Sequence, residues 1–274
     1  MTKIATIARN PIDSPNMTAN DAAILQRITA ELKARGAEVV QVAEGKELPR
    51  DIQAVCSMSR TKEVLEKLKK AEKDSIIVFN TIKAVENCSR RLFMEILHKT
   101  GIPQPPYRII ESSDTPDESL CPCWIKKADG WSTCKEDVCF AATAADARMA
   151  LEQMASRGIV QCIQMLHCTG DIVKFYGIGE DFFRHCYPCS GKFGHEKING
   201  TPKHIPFDSS ALKETAQKAA SALGLTIYGG DAVVTDDGCI FIIDINDFPS
   251  FTAVRDEAAK EIAKLIISNI NTRR

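Results

Sequence analysis

The stretch CIFIIDINDFPSF, residues 239–251, runs an apolar strand straight into Asp244, Asn246 and Asp247. A carboxylate at the end of a buried strand is costly unless something pairs with it. Asp244 and Asn246 are two apart on a strand, so their side chains share one face. Upstream, Asp231 follows Gly229 and Gly230 in GGDAVVTDDGCIFIID, which reads as a hairpin of two apolar strands around the turn Asp236-Asp237-Gly238. The hairpin can set Asp231 beside Asp244. Two carboxylates and an amide oxygen on one face suit a hard divalent cation, Mg2+ first of all. Such an ion takes one or two carboxylates and leaves its other positions to water and phosphate oxygens. Asp231, Asp244 and Asn246 therefore read as half of a metal–nucleotide site. The plainer alternative is a polar strand end with a helix-capping aspartate.

Phosphates held by such an ion need cations around them. Lys126 ends the apolar strand in WIKKADG and precedes the loop DGWSTCKED, whose backbone amides, freed by Gly130, can close over phosphate oxygens. Arg90, at the helix start in CSRRL, offers a second cation, and Lys174 in DIVKFYG and Arg184 in FFRHC offer two more on neighbouring strands. Each taken singly reads as a solvated surface charge; the ordered set is what speaks for a site. Ser250, Thr252 and Arg255 follow the metal ligands in FPSFTAVRDE, where they can face an acceptor. Arg255 can pair with a carboxylate or phosphate in a bidentate way, or be an ordinary helix-start arginine. The loop 186–206, with Lys192, His195, Lys197 and His204, has the length of a lid. Cys186 and Cys189 have metal-ligand spacing, near His185 and His195, but no second such pair completes a four-ligand set. The alternative there is a loop with free thiols.

These residues need a frame. Over residues 1–85 the pattern alternates strand and helix: strands at 3–8, 37–43, 54–58 and 75–80, and a first helix with Ala23, Ile24, Ile28 and Leu32 at helical spacing, capped by Thr18 or Asn20 and stopped by Gly36. Such alternation predicts a parallel α/β sheet with functional loops at the carboxyl ends of its strands. Arg9, Asn10, Ser57, Arg60 and Asn80 fall at those ends and read as ordinary loop polarity. From residue 122 onward the strands CWIKK, DVCFAAT, IVQCIQML and DIVKFYGIG predict an antiparallel or mixed sheet, with helices at 143–158, 209–224 and 255–270.

The totals exclude several classes. At 274 residues, 44% hydrophobic and 26% charged, the chain can bury its own core. A net charge of −1 gives no global argument for nucleic acid or a membrane surface as partner. No run of about 18 apolar residues exists to cross a membrane, and the N-terminus lacks the apolar core of a signal peptide. Eleven cysteines, odd in number and irregular in spacing, read as free thiols of a reducing compartment, so the expected location is cytoplasmic.

The segments VENCSRRLFMEILHKTGIPQPPY, PCWIKKADG, GDIVKFYGIGEDFF and GGDAVVTDDGCIFIIDINDFPSF together resemble the ATP-grasp superfamily over about residues 76–270. The resemblance implies an ATP-grasp fold of α/β (α+β) class behind a small parallel α/β domain. Its domains are 1–85 and 86–274, the latter split into a central part at about 122–180 and a C-terminal part at about 181–274. It implies ATP and Mg2+ as cofactors, with Asp231, Asp244 and Asn246 on the metal and Arg90, Lys126, Lys174 and Arg184 on the nucleotide. Arg90 stands eleven positions before the Gly of GIP, where lysine is usual. The adenine hinge falls on Met165, Leu166, His167 and Cys168; the usual glutamate is missing, so adenine recognition rests on backbone groups. Lys126, Lys174 and Arg255 are expected to act on the reacting groups.

The resemblance implies a ligase first, in which a carboxylate is activated as an acyl phosphate and joined to an amine or thiol, as in ribosomal-protein glutamate ligases, glutathione synthetases and D-alanine–D-alanine ligases. The runner-up is a kinase like the inositol polyphosphate kinases, whose IDIN and K–GE segments are similar, though the histidine-bearing loop of those kinases reads DGWSTCKED here. The third reading is a degenerate fold that only binds nucleotide, against which the retained acidic cluster and Lys126 argue. The expected partner is a small-molecule or peptide acceptor, with neither nucleic acid nor membrane. A homodimer is compatible with it, since many ATP-grasp enzymes pair up.

Overall fold

A computed structural model describes residues 2–14, 16–188 and 194–273, with the backbone alone of 194–196. The first unit holds β1 (Lys3–Ile7), α1 (Thr18–Ala34), β2 (Glu38–Gln41), β3 (Ala54–Ser57), α2 (Lys62–Lys73) and β4 (Ile77–Phe79). Its strands lie in the order β2-β1-β3-β4, all parallel. The alternation of strand and helix leads there because a parallel neighbour must be reached by a crossover. Ile24, Leu25, Ile28 and Leu32 bury one stripe of α1, and Gly36, at φ +81°, ends that turn. Neither Thr18 nor Asn20 caps α1: the cap position is Met17, without a side-chain bond, and Asn20 serves elsewhere.

Two short helices, α3 (Ile82–Asn87) and α4 (Arg90–Lys99), lead into the second unit. There β5 (Tyr107–Glu111), β6 (Cys123–Lys127), β7 (Val138–Ala141), α5 (Ala144–Ser156) and β8 (Gln161–Leu166) form an antiparallel sheet in the order β5-β8-β6-β7. The segment before β5, with prolines at 103, 105 and 106, leads into this strand, which pairs with β8. Thr143 and Asp146 close a capping box at the start of α5, as their spacing allows.

The third unit is β9 (Asp171–Ile178), β10 (Phe182–Cys186), α6 (Gly194–Asn199), α7 (Ser209–Leu223), β11 (Ile227–Val234), β12 (Ile240–Asp247) and α8 (Arg255–Thr272). Its antiparallel sheet runs β10-β9-β11-β12. β9 therefore belongs with the C-terminal strands, and the change of sheet comes at 167–170 rather than near 180. Periodicity cannot show this, because β8 and β9 are both apolar strands and only their partners differ. Loop 186–206 is not structureless either: α6 lies within it.

The two antiparallel sheets share one core with α4 and α7, to which the sheets contribute Trp124, Met165, Phe175 and Ile243. A second core joins the first unit to the third: Ile4, Ile24, Ile28 and Leu32 share it with Tyr176, Phe248, Ile262 and Ile266. Residue 85 is thus a change of sheet but not of core. No helix among the described residues is long and apolar enough to cross a membrane.

Candidate active site

The hairpin β11–β12 pairs Asp231 directly with Asp244, with a register shift just after Asp231. Gly230 lets the strands close there: a Cβ on it would lie 2.2 Å from the Asp244 carbonyl oxygen. Asn246 Nδ2 donates to Asp244 Oδ2 at 2.8 Å, so these two side chains share a face. Asp231, Asp244 and Asn246 all line one cleft of about 410 Å³ between the sheets. Lys174, facing Asp231 across the β9–β11 ladder, donates from Nζ to Asp231 Oδ1 at 2.9 Å. Among the described residues no cluster of three His, Cys, Asp or Glu side chains is placed to hold a metal by itself. The donor set fits an ion that draws few ligands from protein: the carboxylate of Asp244 and the amide oxygen of Asn246, with Asp231 held by Lys174.

Opposite this acidic face stand two cations. Lys126, at the end of β6, is 4% exposed and its Nζ lies 3.8 Å from Met165 Sδ. Burial and then the neighbouring Arg90 push its ammonium down to about 7, against the opposing pull of Asp244 and Asp231. Arg90 opens α4 and donates to Ser132 Oγ at 3.0 Å, while its Nη1 is buried with no hydrogen-bond partner among the described residues. Burial lowers this guanidinium too. Neither side chain forms an ion pair within the described residues.

The loop after β6 completes the cleft. Gly130 takes φ +67°, and its carbonyl accepts from Arg90 N–H, tying the loop to the start of α4. Residues 130–135 line the cleft. Asp137, fully buried, accepts from Thr133 N–H at 2.7 Å and pairs with Arg157 at the end of α5. Burial works to raise this carboxyl, but the Thr133 amide and Arg157 outweigh it and hold it at about 2. The Trp131 ring lies 4.9 Å from the Arg60 guanidinium, which pins the loop to the first unit.

Several expected residues are elsewhere. Met165, Leu166, His167 and Cys168 do not line the cleft. Met165 is fully buried in the core, and the N–H groups of Leu166 and His167 already donate to the Pro106 and Pro122 carbonyls. Trp124 Nε1 donates to His167 Nδ1 at 3.0 Å, and Asn199 caps the Cys168 carbonyl. The N–H groups of Leu166 and His167 are thereby taken, while Pro106 and Pro122, which have no N–H, return no hydrogen bond to their carbonyls; residues 167–170 link the two sheets. Arg184 points away, paired with Glu257 and stacked over Phe182. Arg255 donates to Asn20 Oδ1 at 2.7 Å and lines a separate surface groove with Arg27 and Asp256, outside the cleft. Ser250 and Thr252, within 3.2 Å of each other, line a second cavity of about 630 Å³ beside the cleft. Lys197 is exposed; His204 packs edge-on against Tyr187. Lys192, Cys189 and the His195 side chain lie outside the described residues, so the Cys186–Cys189 half-site falls there too; the described cysteines are free thiols.

Other residues at the site were read as loop polarity or not singled out. Arg60 donates from Nε to Asp247 Oδ1 at 2.9 Å, and both are buried side chains. Arg9 Nη2 donates to the carbonyls of Asp247 and Phe248 at 3.2 and 2.7 Å. Their position at the carboxyl ends of β1 and β3 was the available signal. Asn80, by contrast, is a structural clamp on the backbone of Thr226 and Ile227.

This arrangement of sheets, with the cleft between the two antiparallel ones, is the ATP-grasp fold. The D-alanine–D-alanine ligase of Bacillus anthracis is similar over 100% of both chains, at 12% identity and a TM-score of 0.73. Its complex with ATP gives 0.74 at 13% identity, covering 100% of this chain and 99% of its own. A RimK domain ATP-grasp protein from Sphaerobacter thermophilus is similar over 97% of this chain and 100% of its own, at 16% identity and a TM-score of 0.68. At such identities the likeness is one of fold. No family model and no curated protein matches the sequence.

Proposed function

We propose that the protein is an ATP-dependent ligase that activates a carboxylate with the γ-phosphoryl group of Mg-ATP and joins it to an amine or thiol. The observation that carries this reading is the charge of the cleft. Lys126 is buried and Arg90 Nη1 is buried without a partner, while Asp244 and Asn246 face the same space. A buried cation without a counter-anion is costly, and a triphosphate supplies that anion.

Lys126 and Arg90 bind and orient phosphate oxygens, and the loop 130–135 covers them and excludes water. Asp244 and Asn246 would hold Mg2+, which when bound supplies charge neutralisation at the phosphates. Lys174 lines both the cleft and the second cavity, so it stands where an acceptor carboxylate meets the phosphates. Its partner Asp231 keeps it oriented. A positioned cation there favours the charge that builds on the transferred group.

The test is ADP release with Mg-ATP across pools of amino acids and small carboxylates, run with hydroxylamine. A hydroxamate is expected, because the amine traps an acyl phosphate. ADP release with inositol phosphates alone, and no hydroxamate, would replace this reading with a kinase.

A further inference from the structure

Cys121 and Cys123 flank Pro122 at the entry to β6, and their sulfurs lie 3.9 Å apart. The two cysteines differ in freedom. Cys123 is fully buried and paired on both sides, with Ala141 of β7 and Leu166 of β8. Cys121 is partly exposed, in the connection before β6, and its N–H donates to the Glu118 carbonyl at 3.1 Å. Farther back, the buried Gln164 amide clamps Asp117, donating to its carbonyl at 2.7 Å and accepting from its N–H at 2.8 Å. The same amide nitrogen faces Cys123 Sγ at 3.6 Å. Residues 118–122 are thus a short piece of chain between two fixed points. Its Pro122 carbonyl accepts from His167 N–H at 2.8 Å, in the link between the two antiparallel sheets.

We propose that Cys121 and Cys123 close a reversible disulfide, and that closing it releases His167 N–H from the Pro122 carbonyl, so that the link between the sheets answers to oxidation. The nearness and the unequal freedom of the two thiols carry this. A disulfide needs its sulfurs at about 2.0 Å, so the thiols must come closer by nearly half of their present separation. Cys123 is held by its ladder on both sides. Cys121 and Pro122 therefore make the movement, and Pro122 takes its carbonyl with it. Burial pushes the Cys123 thiol up to about 12; the partly exposed Cys121 is the sulfur that an oxidant meets. Once joined, neither sulfur can bring a charge into the sheet.

The oxidant is hydrogen peroxide, and the step balances. One peroxide oxygen bonds to Cys121 Sγ as the O–O bond breaks, giving a sulfenic acid and one water. Cys123 Sγ then bonds to Cys121 Sγ, the S–O bond breaks, and the leaving hydroxide takes the Cys123 thiol proton as a second water. Two thiols have given up two electrons to one peroxide. A dithiol reductant reverses the bond by exchange. The switch goes beyond the ligase reading and does not rest on it, since neither cysteine lines the cleft.

The experiment treats the folded full chain with hydrogen peroxide in equimolar amount, blocks the remaining thiols with iodoacetamide and maps the peptides by mass. The peptide holding Cys121 and Cys123 is expected to be unalkylated and lighter by a pair of hydrogens, and to recover both thiols in dithiothreitol. Hydrogen exchange at the His167 amide should quicken at least about fivefold, the factor that one lost hydrogen bond is worth, with exchange in β11 and β12 unaltered. The ATP dissociation constant should rise several-fold on oxidation and return on reduction, because the cleft lies between the sheets that this link joins. In Cys121→Ser the same treatment should leave His167 exchange where it was. Both thiols alkylated after peroxide treatment of the folded chain, a bridge that forms only in urea, or a bridged chain whose His167 exchange is that of the reduced chain would overturn the proposal. The mapping in the wild-type chain stands even where the variant folds poorly.

Discussion

Lys126 is buried at the end of β6 with no counter-anion in an ion pair among the described residues. Its ammonium lies far below the ordinary lysine value, at about 7, because it is buried and because Arg90 is near. The sign of the consequence follows from linkage. Between about 7 and the ordinary value near 10.5 the unfolded chain binds the proton and the ligand-free fold does not, so stability from this group rises with pH across that window. Nucleotide binding needs the protonated form and opposes this trend. ATP affinity should therefore fall as pH rises from about 7.5 to 9.5, and Lys126→Met should flatten that dependence while weakening binding at neutral pH. The same variant removes an uncompensated buried charge, so the ligand-free chain should gain roughly 1–4 kcal/mol, seen as a higher thermal midpoint. An unchanged ATP dissociation constant in Lys126→Met would deny the lysine its phosphate role. At the acidic face, Asp244→Asn keeps the shape and hydrogen-bonding capacity of the residue but removes its charge. ADP release should drop at least about a hundredfold with the circular dichroism spectrum intact; retained turnover would remove Asp244 from the chemistry.

At the scale of elements, the loop 130–135 depends on a strut that touches no substrate. Asp137 gathers the Thr133 amide, and Arg157 reaches it from the end of α5. Arg157→Ala should loosen the loop, raising the ATP dissociation constant several-fold and speeding amide exchange at residues 130–135, with exchange in β11 and β12 unaltered. Asp137 is held at about 2, so its stabilisation is complete above the ordinary carboxylate range and is lost as pH falls toward 2; Arg157→Ala should shift the acid-unfolding midpoint upward. These elements also show what sequence can carry. The hairpin β11–β12 was legible because its turn, glycines and acids lie within a few residues of one another, and local chemistry sets its register. The parallel unit was legible from alternation. The hinge was not: whether Leu166 and His167 present free amides is decided by Pro106 and Pro122, far away in sequence. Nor was the role of Arg184 or Arg255, since a cation next to a strand or helix end names no partner; here Glu257 and Asn20 claim them.

On the scale of the whole molecule, β12 is braced by the first unit. Arg60 and Arg9 converge on Asp247 and Phe248, just past Asn246, and Trp131 of the loop 130–135 rests on Arg60. The same two units share a core through α1 and α8. A chain organised this way should not unfold as two independent domains, because either half would expose the apolar face that the other covers. We expect one urea transition, with far-UV circular dichroism and tryptophan fluorescence coinciding. The fluorescence samples both regions, since Trp124 lies in the core between the antiparallel sheets and Trp131 packs against the first unit. Arg60→Ala tests the coupling directly. It leaves Asp247, 1% exposed, without its ion-pair partner, which costs about 3–5 kcal/mol. Both signals should move together to lower urea by that amount, and ATP affinity should fall because Trp131 loses its anchor. Two separated transitions, or a shift confined to one signal, would mean that the first unit folds alone and that the site is held by the two antiparallel sheets without it.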